Sequence, residues 1–408
     1  MRTLLTVIVL VFGLHASVFA GDMEDGNAAF DRDDYATAFS KLKRPAAQGN
    51  AKAQFRLGLM YENGQGIEQD YKQAVFWYEK AAAQEYGDAQ LNLGYLYHEG
   101  KGVPQDDKQA MLWYEKAAAQ ENRLAQYNLG FMYNYGQGVV ADYKQAVLWY
   151  EKAAAQGYAE AQCNLGAMYD NGYGVAQDHK RAASLYEEAA AQGNAKAQAS
   201  LGYLYANGQG VTQDDGQAVA WFEKAAAQGY SAAQYNLAFA YSKGLGLTQD
   251  DNRAAFWYAK AAAQGHASAQ RALGSMYYEG KGVAKDYRQA LFWWQKAATQ
   301  GNAKAQFSLG VMYARSQGVA QNYKQAMWWY EKAAAQGHID AQLNLGNMYR
   351  KGQGVPQDDV EAYKWTSIAG GNGDAGAKRN LELLEKKMTP ERIAEAQRRA
   401  RDWINAHK

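Results

Sequence analysis

A single cysteine, Cys163, stands among 408 residues, so no disulfide can staple this chain within itself. Proline is almost as scarce, with four, and 48% of residues are apolar, which together exclude a generally disordered chain. Net charge is nearly absent: 43 basic residues oppose 42 acidic ones, intermixed along the chain. No basic stripe is left for a phosphate backbone, and nucleic acid is not an expected partner. Also missing is an apolar run of the ~20 residues that a membrane-spanning helix needs. The one candidate, Leu4 to Phe12, is too short; it follows Met1-Arg2-Thr3 and precedes Val18-Phe19-Ala20, with small residues where a signal peptidase reads. Residues 1–20 are therefore expected to be a secretory signal, leaving a soluble mature chain from about Gly21. The periplasm is the expected destination and secretion the alternative.

The chain is too long for one ordinary core, because single cores stop growing near ~250–300 residues. A one-dimensional stack avoids that limit, and the sequence contains one. The segment from Ala51 to Tyr86 recurs nine times without phase drift, to about residue 374, with a period of 36 residues set by Gly58, Gly94 and their successors to Gly346. Each unit reads as two helices. Gln54, Leu57, Gly58 and Tyr61 make an apolar face on helix A, and Ala74, Trp77, Tyr78, Ala81 and Ala82 make one on helix B. Tyrosine fills the Tyr61 position in every copy and tryptophan fills the Trp77 position in all but one, where Leu185 stands. Both rings are expected in the core.

Helix ends are also written in each unit. Gly64 and Gly66 head a glycine pair where the chain leaves helix A, the second invariant and the first replaced once, by Ser316. Asp70 with Gln73 predicts a reciprocal capping box at the start of helix B. Gly58 lies on the apolar face of helix A, where a missing side chain lets helix B approach. A lone hairpin leaves two apolar faces bare, so hairpins must stack and the ends need caps. Residues 21–50 read as a degenerate N-terminal capping repeat, with Asp34 starting its second helix. Residues 375–408 read as C-terminal capping helices, the last opened by Thr389-Pro390 and charged on its outer face.

The recurring Ala-x-Ala-Gln-x-x-Leu-Gly-x-Met-Tyr-x-x-Gly-x-Gly-Val-x-Gln-Asp, followed by Ala-x-x-Trp-Tyr-x-Lys-Ala-Ala, closely resembles the Sel-like repeat, a relative of the tetratricopeptide repeat. The resemblance covers residues 51–374 and implies an all-α, α/α superhelical solenoid, right-handed, whose A helices line a concave groove. It further implies a scaffold or adaptor in signalling, envelope assembly or host contact, without naming the partner. One branch of the family carries a disulfide in each repeat and is associated with β-lactams; a chain with one cysteine departs from it.

If the A helices line a groove, partner contacts are expected at A-helix positions that vary while the core positions do not. The Phe55 and Leu59 positions behave so, holding Leu91 with Tyr95, Tyr127 with Phe131, and Tyr235 with Phe239, each pair one helical turn apart. Beside them runs an asparagine set, Asn92, Asn128, Asn164, Asn236 and Asn344, whose amides can pair with both the C=O and the N–H of an extended peptide. The opposing reading is that the rings pack on the next unit and the amides bond within the repeat. The expected partner is a protein or extended peptide. No cofactor, metal site or catalytic group is expected: the Gly-x-Gly loops lack the strand and Lys-Ser/Thr of a phosphate loop, the Asp70 position reads as a cap, and no nucleophile and base break the repeat pattern. Two alternatives stay open, an effector that binds a host protein and an envelope-acting hydrolase. Cys163 occupies the Phe55 position, either facing the groove as a free thiol or buried.

Overall fold

A computed structural model describes residues 21–371 and 375–407. The secretory-signal reading of residues 1–20 and the end of the ninth repeat, 372–374, fall outside them. Every regular element among the described residues is a helix, and none is long and apolar enough to cross a membrane. A helix over residues 21–31 and a second, Tyr35–Ala47, precede nine helix pairs. The pairs run from Ala51–Asn63 with Tyr71–Ala82 to Ile339–Lys351 with Asp359–Gly371, and Ala375–Glu385 and Pro390–Ala406 follow. The chain divides into two compact units, 21–197 with 209–211 and 198–208 with 212 onward among the described residues. The first holds the N-terminal helices and repeats one to four. The second holds most of repeat five, repeats six to nine and the C-terminal helices.

The core is made of small and medium side chains around one ring, in clusters that each join a helix B to the helix A that follows it. Ala53, Leu57 and Met60 pack with Ala38 and Leu42 of the helix before them, and Ala74, Tyr78 and Ala81 pack with Ala89, Leu93 and Leu96 of the next repeat, all with no exposed surface. Gly58 faces the Tyr78 ring so closely that a Cβ there would lie 2.5 Å from Cδ1, which is why this position is glycine in eight copies. The ring at the core of each hairpin is thus the Tyr78 position, not its neighbour. Trp77, Trp113 and Trp149 are only half-buried, each packing back on the preceding hairpin. Lysine three residues on covers the other face, with Lys116 Nζ 4.0 Å from the Trp113 ring and Lys152 Nζ 4.2 Å from Trp149. The Tyr61 position is likewise half-buried and bridges hairpins. Both residues were expected in the core; their near-invariance reflects contact between repeats, and only Trp329, Trp365 and Tyr241 are buried.

The joint before helix B departs from a capping box. Asp70 Oδ1 accepts from the backbone N–H of Lys72 and Gln73, as predicted, but its own N–H donates to the Tyr61 carbonyl at 2.9 Å. The same backbone bond closes the joint in all nine repeats, from Asp106 to Tyr97 through Asp358 to Tyr349. The reciprocal glutamine therefore has no donor left to satisfy. Gly64 ends helix A at φ +68°, and Ser316 holds the corresponding position in repeat eight at φ +57°.

Polar groups also run through the core, at the glutamine of every helix A. Gln54, 4% exposed, donates from Nε2 to the Ala46 carbonyl at 3.0 Å and accepts at Oε1 from Gln84 Nε2 at 2.7 Å. Gln84 caps the end of the following helix B region, so each pair ties one hairpin to its own exit and to the hairpin before. Gln90 with Gln120, Gln126 with Gln156 and Gln270 with Gln300 repeat the bond at 2.8 to 2.9 Å. The N-terminal helices pack Ala29, Ala38 and Leu42 against Ala53 and Leu57. At the other end Pro390–Ala406 lies on helix B of repeat nine, where Trp403 meets Trp365 at 5.3 Å and Arg399 bonds Glu361 at 2.9 Å.

Candidate functional site

Between consecutive A helices, above the first turn of the helix B that joins them, the surface opens into similar cavities. One of about 300 Å³ in the first unit is lined by Asn134, Tyr135, Tyr143, Tyr150, Asn164 and Tyr173. In the second unit, a cavity of about 300 Å³ is lined by Tyr203, Phe222, Asn236, Phe239 and Leu245, and another of about 410 Å³ by Phe239, Tyr258, Arg271 and Ser275. Each has a wall of fixed core, a rim of variable side chains and openness to solvent, the form of a site that takes one side chain of a partner.

The two variable positions expected to act together are separated by the structure. The Leu59 position faces outward: Tyr95 is 39% exposed and its hydroxyl receives Lys101 Nζ at 3.1 Å, Phe239 is 41% exposed, and Phe131 lies against Tyr135 with ring centres 4.4 Å apart. The Phe55 position packs inside the chain. Tyr127 meets Tyr150 at 5.8 Å and Tyr158 at 5.2 Å, Tyr235 stacks on His266 at 4.8 Å, and Leu91 packs on the core around Met111 and Leu129. Leu91, Tyr127 and Tyr235 thus hold the entry of the next helix A. A ring at the Phe55 position goes with a ring at that entry, as Phe55 with Tyr86 and Phe307 with His338 also show.

Most of the asparagine amides bond within the chain. Asn92 Nδ2 donates to the Tyr78 hydroxyl at 3.1 Å, and that hydroxyl donates to Glu62 at 2.5 Å. Asn128 stands at the Tyr114 hydroxyl. Asn164 donates to the Tyr127 hydroxyl at 3.5 Å and accepts from Lys196 Nζ at 3.1 Å while lining its cavity. Asn236 faces Phe222, which has no hydroxyl, across its cavity. Sequence reasoning missed Tyr135, Tyr173 and Tyr203. The first two were findable, since each is the one aromatic residue at its loop position in nine copies.

Cys163 is buried, 1% exposed, and burial pushes its thiol up to about 11 from an ordinary 9.0. The unfolded chain ionises near 9.0 and the folded chain does not, so this group costs stability as pH rises between those values and costs nothing below them. We expect the native thiol to resist a disulfide reagent at pH 8 and to react at once in denaturant. Rapid stoichiometric labelling of the native chain would contradict its burial.

The comparisons with known proteins agree with this geometry. Residues 51–86, 87–122, 123–158, 159–194, 195–230, 231–266, 267–302, 303–338 and 339–374 each match the Sel1 repeat. The chain is similar to c5321, a protective antigen of uropathogenic Escherichia coli with an SLR fold, at 34% identity and TM-score 0.62, over 95% of this chain and 92% of that one. It is also similar to a Sel1 repeat protein from Oxalobacter formigenes, at 37% identity and TM-score 0.60, over 76% of this chain and 90% of that one. No curated protein matches. Sel1 repeat proteins are generally protein-interaction scaffolds, built on a fold without catalytic groups of its own. With nine consecutive copies of the repeat and helix pairs at the same boundaries, this chain belongs to the Sel1 repeat family.

Proposed function

We propose that this protein is an exported scaffold that binds a protein or extended peptide along its A-helix surface. The observation that carries the reading is the contrast at that surface: aromatic side chains at a variable position, Tyr95, Tyr203 and Phe239, stand exposed over a recurring core, and the last two rim cavities. Exposed rings beside desolvated pockets supply much of the binding energy in protein interfaces, while their removal leaves a solenoid core untouched. Export rests on the apolar segment Leu4 to Phe12 and the small residues before Gly21. The description of the E. coli relative as a protective antigen supports it. The same likeness keeps open a role at the surface of another organism's cells, which fractionation into periplasm and supernatant distinguishes.

The test is a triple change, Tyr95→Ser, Tyr203→Ser and Phe239→Ser. In crosslinking and pull-down from the periplasmic fraction, the partner captured by the native chain should be lost, with the urea midpoint of unfolding nearly unchanged. Capture at undiminished yield would place the binding surface elsewhere. A collapse of the midpoint would make these rings structural.

A further inference from the structure

We propose that the cavity of the third and fourth repeats is a subsite for proline, in a partner segment that approaches in the polyproline II conformation. This deepens the reading of the A-helix surface as the partner-binding surface and rests on it.

One polar group there has nothing to bond. Tyr150 is 1% exposed and lines the cavity, and its hydroxyl has no hydrogen-bond partner. At the corresponding place in repeat one, the Tyr78 hydroxyl is fully satisfied by Glu62 and Asn92. In repeat three Asn134 replaces the carboxylate, and Asn164, beside the Tyr150 hydroxyl, shares its nitrogen with the Tyr127 hydroxyl at 3.5 Å while its oxygen is taken by Lys196. An unpaired buried hydroxyl costs stability, a cost that a ligand carbonyl can remove. Burial holds the phenol in its protonated, donating form.

The other groups in the cavity also lean towards donation. Lys196 spends one of its three hydrogens on Asn164, and the Asn134 amide, with two more, lines the same cavity. No carboxylate lines this cavity, whereas Asp215 and Asp251 stand in the two cavities of the second unit. A site rich in donors suits a backbone that offers carbonyls and no N–H. That is what consecutive prolines present, because proline lacks the N–H and polyproline II leaves every carbonyl unpaired.

The rim supplies the apolar half of the recognition. Tyr143 and Tyr173, 45% and 50% exposed, stack with ring centres 5.3 Å apart and planes 22° from parallel, and Tyr135 stands beside them, 62% exposed. Pyrrolidine rings pack flat on such surfaces, and a polyproline segment loses little entropy on binding. A volume of about 300 Å³ admits one or two residues and no more.

Titration of the full chain with a short fluorescent polyproline peptide tests this directly. Saturable binding is expected, weakened about tenfold or more by Tyr143→Ala with Tyr173→Ala, the equivalent of about 1.4 kcal/mol. Tyr150→Phe keeps the ring and removes the unpaired hydroxyl; it should weaken binding several-fold and leave the unfolding midpoint unchanged or raised. No saturable binding, equal binding of an alanine-rich peptide of the same length, or full affinity in Tyr150→Phe would each overturn the proposal. If it fails while partner capture still depends on Tyr95, Tyr203 and Phe239, the scaffold reading stands without it.

Discussion

Changing Gln270 to glutamate is expected to destabilise the chain by about 3–5 kcal/mol at neutral pH, far more than a charge added at the surface. Gln270 is 3% exposed; its Nε2 donates to the Ala262 carbonyl at 3.1 Å and its Oε1 accepts from Gln300 Nε2 at 2.8 Å. A carboxylate keeps the second bond and inverts the first, setting a charged oxygen against a carbonyl oxygen. The buried carboxyl would titrate above the ordinary value of about 4.3. The folded chain then holds its proton to a higher pH than the unfolded chain. The penalty is therefore absent below the unfolded value and complete above the folded one, and stability recovers as pH falls through that window. Gln270→Leu removes the charge problem, and the Ala262 carbonyl keeps the Gly265 N–H while Gln300 keeps the Gly265 carbonyl, so the loss is about 0.5–1.5 kcal/mol and does not vary with pH. Urea unfolding of both variants at pH 4 and pH 7 checks the pair. Equal pH dependence in the two would show that water reaches the glutamine and that the bond to Gln300 does not bind the repeats together.

That glutamine shows where the sequence could be read and where it could not. Its periodic place on the apolar face of helix A was visible, yet a polar residue recurring in a core position says nothing about its partner until Gln300, 30 residues on, is brought to it by the fold. The repeat boundaries, the Asp70 cap and the close approach at Gly58 were legible because each depends on residues within one hairpin. Near-invariance marked Trp77 and Tyr61 as packing residues but could not show that both stay half-buried, each packed on a core cluster with part of its ring in solvent. The candidate site suffered the same way. Tyr127 and Phe131 lie on one helix side, so spacing alone grouped them, while the ring of Tyr158 that claims Tyr127 is brought to it only when helix B folds back, at the far end of the same repeat. Of the two, the Leu59 position kept the exposure its variability suggested, at Tyr95, Tyr203 and Phe239.

Gly174→Ala should cost about 3–4 kcal/mol, and Gly172→Ala, two residues earlier in the same loop, about 1–2 kcal/mol. Both glycines sit at φ +72°, so the penalty for a left-handed side chain is common to both. What differs is the space. A Cβ on Gly172 would meet Gln177 Cβ at 3.4 Å, an ordinary contact, but on Gly174 it would overlap the Tyr143 carbonyl and stand 2.8 Å from Lys144 N. Those atoms begin helix B of the preceding repeat and cannot yield without unwinding its first turn. The chain has already run milder versions of this experiment. Where a Cβ would meet nothing, as at Gly157 and Gly193, the corresponding positions of other repeats hold Glu85 and Glu121 at φ near +62°. At the first loop glycine, where the nearest atoms of the residue five positions on would lie 3.1 to 3.4 Å away, Ser316 is tolerated once. At the second, where a Cβ would stand within 3 Å of the preceding helix B, all nine copies are glycine, from Gly66 to Gly354. Helix exit explains the first glycine of each loop, and the approach of one hairpin to the next explains the second. Urea midpoints for the two variants give the comparison, and hydrogen exchange at Lys144 and Gln145 locates it: Gly174→Ala should free those amides, Gly172→Ala should not. Equal losses in both would mean that the loop glycines serve only to turn the chain, and that the second is dispensable to the contact between repeats.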